Sequence, residues 1–235
     1  MRKIVLFVEG QAEQIFIREM LLRRYAYDVN LVCIRCLRLI SEQLESAEYD
    51  YGNEDAPYYY LIINAGGDNK VLSAMLRRQA GLIAKGYQMI IGLRDMYSSF
   101  YRAQSSSVVD SELNQEFLLS ARQQIEEANV TNVKIHFAIM EVETWMLALL
   151  DKWKGDISDS DILQYFNPED NLEEIYHPAE IVKAITSLSG APYDKHASQV
   201  NSIMANIGWD DYKDLYQSNR CPSFNDFIDD LAIMN

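Results

Sequence analysis

Residues 4–13 run Ile4-Val5-Leu6-Phe7-Val8-Glu9-Gly10-Gln11-Ala12-Glu13: five apolar residues, a carboxylate, a glycine, then a polar start to a helical pattern. A near-continuous apolar run of this kind is typical of a strand buried on both faces. In open parallel sheets the working groups sit just beyond the carboxyl ends of the strands, where Glu9 falls. Asp95 and the pair Glu141 and Glu143 end two further apolar runs in the same way. Three acidic strand ends in one domain point to a divalent-metal site.

Working outward, residues 3–8 read as a strand. Residues 11–25 read as a helix, with Phe16 and Met20, and Ile17 and Leu21, at helical spacing. A second strand is expected at 29–37. The polar, acidic stretch 41–57 ends in Gly52-Asn53-Glu54-Asp55-Ala56-Pro57 and reads as an exposed loop. Tyr58 to Asn64 is strongly β-prone; it stops at Ala65-Gly66-Gly67-Asp68-Asn69-Lys70, and Val71 to Ala84 then reads as a helix. Tyr87 to Leu93 is a strand closed by Arg94-Asp95, 111–128 an amphipathic helix, Val133 to Ile139 a strand and Glu141 to Leu150 a helix. Alternation of this kind predicts an α/β fold, a mostly parallel sheet flanked by helices. Beyond Asp151 the segments are helix-like and punctuated by Asn167-Pro168, His177-Pro178, Gly190-Ala191-Pro192 and Cys221-Pro222. The expected organisation is a core domain over 1–151 and a small helical appendage over 152–235.

The 235 residues are 49% apolar, enough for a substantial core. No apolar stretch approaches the roughly 18 residues of a membrane span, and the opening strand pattern lacks a signal-peptide layout, so a cytoplasmic protein is expected. Lysine and arginine total 21 against 35 acidic residues, a net charge of −14. Stand-alone nucleic-acid binding depends on cations that neutralise phosphates, so this balance counts against it. An enzyme whose metal offsets local acidity, or one brought to DNA by a basic partner, stays open. Cys33 and Cys36 form a CxxC within a strand pattern, where odd spacing sends the thiols to opposite faces. With Cys221 alone and three dispersed histidines, neither a disulfide framework nor a zinc site is indicated.

Magnesium and manganese favour oxygen ligands, and magnesium usually takes one or two carboxylates plus water and substrate phosphate. Glu9, Asp95 and Glu141 or Glu143 meet that demand if their strands are neighbours. Acidic residues also follow strands simply because loops are solvated, and Glu13 and Glu143 would gain about 0.3–1 kcal/mol in the first turn of a helix. Which of Glu141 and Glu143 turns inward depends on the helix start. A helix from Glu141 puts it on one face with Trp145 and turns Glu143 away; a helix from Glu143 leaves Glu141 at the strand end. Trp145, beside Met146, Leu147 and Leu149, reads as a core anchor. The Gly66–Lys70 turn is a candidate anion cradle in which Lys70 meets a phosphate, or it is plain turn chemistry. It lacks the P-loop spacing. A GxSxG elbow is missing too, which disfavours a serine hydrolase.

Several of these stretches resemble a Toprim-like family of bacterial proteins, classed as a domain of unknown function and related to the Toprim part of OLD-type nucleases. They are Glu9-Gly10-Gln11-Ala12-Glu13, Leu93-Arg94-Asp95 and Glu141-Val142-Glu143-Thr144-Trp145-Met146-Leu147-Ala148. His177-Pro178-Ala179-Glu180-Ile181, Tyr193-Asp194-Lys195 and Arg220-Cys221-Pro222-Ser223-Phe224 resemble the family's closing motifs. The resemblance implies a Toprim fold in which an N-terminal glutamate, matched by Glu9, and a later DxD bind Mg2+ or Mn2+ for phosphodiester chemistry. Asp95 matches the first aspartate of DxD, but Tyr97 stands at the second; Glu141 and Glu143 are candidates for the missing ligand. Kinship with OLD-type proteins further implies an ABC-class ATPase partner and a role in defence against phage or other mobile DNA.

The expected function is therefore a Mg2+- or Mn2+-dependent Toprim-like nuclease or nuclease-related subunit. Its ligands would be Glu9, Asp95, Glu141 and Glu143. Glu9, Glu13, Asp95 and Glu143 would be catalytic, and Lys70 and Arg94 would sit against phosphate. The alternative, suggested by Tyr97, is a non-catalytic Toprim-like module that binds a partner protein. A third is small-anion binding at the glycine turn.

Overall fold

The computed structural model describes residues 1–41 and 43–234. Contacts divide the chain into two units, Met1–Arg94 with Gln115–Phe137, and Asp95–Asn114 with Ala138–Asn235. The expected boundary at 151/152 falls inside the second. The sheet elements, in chain order with their helices, are β1 (Arg2–Val8), α1 (Gln11–Arg24), β2 (Val32–Ile40), β3 (Gln43–Tyr51), β4 (Tyr58–Asn64), α2 (Val71–Ala84), β5 (Met89–Asp95), α3 (Ser99–Gln104), α4 (Ser111–Glu127) and β6 (Val133–Ala138).

The strands form one sheet in the order β3-β2-β4-β1-β5-β6. Strand β1 lies inside it and is buried from Ile4 to Val8, as its apolar run requires. It pairs in parallel with β4 and β5, and β4 pairs in parallel with β2. The Ile90 N–H donates to the Asn132 carbonyl and the Met96 N–H to that of Ala138. That constant offset makes β5 and β6 parallel as well. Only β3 is antiparallel, against β2. The architecture is α/β, a mostly parallel mixed sheet flanked by helices.

Alternation along β1 sends Val5 and Phe7 to one face, where they join Leu61, Ile63 and Ile90 against Val71, Ala74, Met75 and Leu82 of α2. Helix α1 packs on β1, β2 and β4 and buries Phe16, Ile17, Met20 and Leu21. Gln14 is buried among them, its Nε2 donating to the carbonyls of Leu37 at 2.9 Å and Ile62 at 3.0 Å. Gly92 on β5 is where α2 comes closest: a Cβ there would lie 2.4 Å from Met75 Sδ and 3.2 Å from Val71 Cγ1.

Two expectations need correction. The stretch 41–57 is not one loop, because 43–51 forms β3; Glu42 lies outside the described residues. An edge strand is hydrogen-bonded on one side and solvated on the other, so it tolerates the polar, acidic sequence that reads locally as a loop. The turn at Gly52–Pro57 does follow it. The predicted helix from Glu141 begins instead at Glu143 and breaks at Leu149.

The second unit is helical: it holds α3 and, after β6, α5 (Glu143–Ala148), α6 (Leu150–Trp153), α7 (Asp159–Ile162), α8 (Pro178–Leu188), α9 (Ala197–Met204), α10 (Trp209–Ser218) and α11 (Pro222–Leu231). Its core is aromatic. Trp145 stacks on Phe227 at 5.6 Å between centroids and meets Phe224 edge-on at 5.4 Å. Its indole N–H donates to Ser223 Oγ at 3.1 Å. Arg220 adds two bonds, to the carbonyls of Pro168 at 2.6 Å and Ala148 at 2.9 Å. Among the described residues no helix is long and apolar enough to cross a membrane.

Candidate metal centre

The second unit opens on Asp95, the last residue of β5. The Met96 N–H reaches the Ala138 carbonyl at 3.0 Å and the Tyr97 N–H reaches that of Met140 at 2.7 Å, so the segment after Asp95 runs beside 138–140. That pairing carries Asp95 to the start of α5, where its Oδ1 accepts the Val142 N–H at 2.9 Å. With Val142 as N-cap, Glu143 opens the helix and Glu141 precedes it. This later start leaves Glu141 at the strand exit and turns both glutamates inward. Asp95, Glu141 and Glu143 are all buried, and each offers a carboxylate oxygen within 4.8 Å of the other two.

Residues from 177 to 195 line this cluster. Lys195 Nζ donates to Glu141 Oε1 at 2.8 Å and to Glu143 Oε2 at 3.3 Å. The Tyr193 hydroxyl donates to Glu143 Oε1 at 2.8 Å. Glu141 Oε2 accepts the Ala179 N–H at 3.2 Å, in the first turn of α8, where the helix dipole favours an anion. His177 Nδ1 also stands 3.2 Å from Glu141 Oε2, but not aligned as a hydrogen bond.

Glu143 is 0% exposed. Burial raises its pKa, Lys195 lowers it and Glu141 raises it again, and the net direction is upward. For Lys195 burial alone would lower the pKa, but Glu143, Asp95 and Glu141 together more than reverse this and hold the ammonium charged. Three residues here adopt left-handed backbone without being glycine: Met140 at φ 63°, His177 at φ 59° and Lys195 at φ 55°. Such conformations cost energy and persist where the surroundings over-determine them. Tyr97, at the second place of the motif Asp95-Met96-Tyr97, supplies an aromatic wall in place of a carboxylate. Its ring lies 4.3 Å from that of His177 and 5.4 Å from that of Tyr176, and the Arg102 guanidinium lies 5.5 Å from it.

The donor set suits a hard divalent cation. Oxygens on one such ion lie at most about 4.2 Å apart, twice a Mg–O distance of about 2.1 Å, so a spread within 4.8 Å closes with small side-chain adjustments. Lys195 already bridges Glu141 and Glu143 as a stand-in cation. The buried acidic cluster can therefore hold a divalent metal ion.

The remaining expected site residues belong to the first unit. Glu13 caps α1, its Oε2 accepting the Gly10 N–H at 2.8 Å. Glu9 is half-buried, and its carbonyl accepts the Gly67 N–H at 2.9 Å. In the glycine turn Gly66 and Gly67 adopt φ values of 74° and 144°, which accounts for the glycine pair through backbone need. Lys70 Nζ donates to the Gly66 carbonyl at 3.2 Å. The Arg94 guanidinium lies 5.3 Å from the centroid of the Phe137 ring. Sequence reasoning gave Lys195, Tyr193 and His177 no part in the site. Spacing could not place them there, because 54 residues separate Glu141 from Lys195; the only signal was that they lie in two of the closing motifs.

A family model described as "Domain of unknown function (DUF4276)" matches residues 8–232, and the chain belongs to that family. No curated protein and no solved structure matches it.

Proposed function

We propose that this member of a family without an assigned function is a divalent-metal-dependent phosphodiester hydrolase, a Toprim-like nuclease or nuclease-related subunit. Its centre would be Asp95, Glu141 and Glu143. The observation that carries the proposal is the convergence of these three buried carboxylates within 4.8 Å. Water is largely excluded there, and the backbone is held in costly conformations at Met140, His177 and Lys195. Bound Mg2+ or Mn2+ would supply charge stabilisation on a phosphate and a more acidic water. The Val142 N–H orients Asp95 as a ligand, and the Ala179 N–H orients Glu141. The Tyr193 hydroxyl fixes Glu143. Lys195, its side chain 43% exposed, offers the nearest positive charge for a substrate phosphate.

The net charge of −14 favours a nucleic acid delivered by a partner over one captured alone. An ABC-class ATPase, as in OLD-type defence systems, would meet that need. A cytoplasmic setting fits three cysteines that are all unpaired. Glu9, Glu13, Lys70 and Arg94 are not needed for this proposal, which draws on the second unit alone.

A second reading has one observation in its favour: Lys195 already satisfies Glu141 and Glu143, and Tyr97 replaces a carboxylate of the DxD. The cluster would then be a structural ion-pair network in a partner-binding module. Incubating labelled DNA and RNA with the protein in Mg2+ or Mn2+ separates the two. Cleavage that vanishes in EDTA and in Asp95→Asn and Glu143→Gln, with both variants still folded, supports hydrolysis. Cleavage that survives both substitutions, or none in the wild type with either metal, alone and with an ABC-class ATPase added, overturns it. A parallel Glu9→Gln variant tests the glutamate that the resemblance singles out.

A further inference from the structure

We propose that Lys195 is the resident counter-ion of the Asp95–Glu141–Glu143 centre and that a divalent cation binds by displacing its ammonium; the inference rests on the metal-dependent reading above. Three carboxylates confined within 4.8 Å repel one another unless protons or cations intervene. The neutral donors around them, the Val142 and Ala179 N–H groups and the Tyr193 hydroxyl, each serve one oxygen. Lys195 bridges two of the three, with Nζ 2.8 Å from Glu141 Oε1 and 3.2 Å from Glu143 Oε1. These are positions a metal ion would need, and a metal and an ammonium cannot share them.

Lysine suits such a post. Its ammonium is a compact point charge on a flexible four-carbon stem, able to leave without the fixed fork geometry of arginine. Lys195 sits in the connection between α8 and α9, and 43% of its side chain is exposed, so solvent lies along its way out. Glu143, with no exposure at all, cannot make the equivalent move. The lysine thus keeps the metal-free cluster from repelling itself and sets a threshold for the entering cation. Once displaced, it stands at the rim of the site with its charge free for an anionic substrate.

Two measurements test this without using activity. Calorimetric titration with Mn2+ should show binding to Lys195→Met that is tighter than to wild type by about tenfold or more, one decade being 1.4 kcal/mol; Lys195→Arg should stay near wild type or weaker. In the unaltered protein, acylation by a water-soluble active ester, followed by mass spectrometry, should be slow at Lys195 without metal. It should accelerate when Mn2+ saturates, with Lys183 on α8 unchanged as the control. The footprint needs no variant and decides the matter even where Lys195→Met fails to fold. Equal or weaker Mn2+ binding by a folded Lys195→Met, or Lys195 acylation that metal leaves unchanged or slows, overturns the proposal while leaving the metal centre intact. A wild type that binds no Mn2+ overturns both.

Discussion

Glu143→Gln should stabilise the metal-free protein at pH 8 while removing its metal binding. The side chain is completely buried, and its raised pKa states that burial and the neighbouring Glu141 outweigh the help of Lys195. A carboxyl whose folded pKa lies above its unfolded value of about 4.3 contributes stability that is full below that value. The contribution is lost as pH rises through the folded pKa, because the native state must then hold the charge. Glutamine mimics the protonated form. Its Oε1 can still accept the Tyr193 hydroxyl, now at 2.8 Å, and the contact of Oε2 with Lys195, at 3.3 Å, is lost. A charge-assisted bond is worth about 1.5–3 kcal/mol, whereas burying an ion costs several kcal/mol, and Lys195 keeps Glu141 as its partner at 2.8 Å, so the substitution leaves no ammonium unpaired. For a chain of this size each kcal/mol moves the melting temperature by about 2–4 °C. Thermal melts in EDTA at pH 8 and pH 4 measure the difference. Glu143→Gln should melt several degrees above wild type at pH 8, and the gap should close toward pH 4. A variant that melts lower than wild type at pH 8, by the same margin as at pH 4, would refute the electrostatic reasoning.

Trp145→Ala removes the centre of the aromatic core that carries α5, and should cost about 3–5 kcal/mol, read by denaturant melts of the variant. Gly92→Ala places a methyl 2.4 Å from Met75 Sδ; with the flexible methionine able to give way, a loss of about 1–3 kcal/mol is expected, and an unchanged melting temperature would contradict the packing. The three cysteines are buried, with the Cys36 thiol pushed up to about 12 and Cys221 raised further by burial. A disulfide reagent at pH 8 should leave at least those two unreacted in the native protein and titrate all three after unfolding; rapid native reaction of both would contradict the burial.

The fold was legible where a segment's own composition decides its state. Ile4–Val8 and Tyr58–Asn64 are apolar enough to demand a central place, and both occupy one. Strand β3 was not legible, because its stability comes from pairing with β2, a property of the partner and not of its own acidic residues. The acidic half of the candidate cluster could be anticipated, since Asp95, Glu141 and Glu143 follow apolar runs. That both glutamates turn inward hung on a helix start two residues later than Glu141, beside a long-range bond from the Val142 N–H to Asp95. The basic half left no local trace. Lys195 is an ordinary polar residue between helices until the fold brings it against Glu141 and Glu143. Left-handed backbone at Lys195 is equally silent in sequence, since lysine is not among the residues enriched there.

The central claim, that Asp95, Glu141 and Glu143 form a divalent-metal centre, is tested most directly by calorimetric titration of Mn2+ into the metal-stripped wild type beside Asp95→Asn. Saturable binding to the wild type that Asp95→Asn loses, with the variant's melting curve intact, is the predicted result. A wild type that takes up no Mn2+, or an Asp95→Asn variant that binds it as tightly as the wild type, would contradict the account.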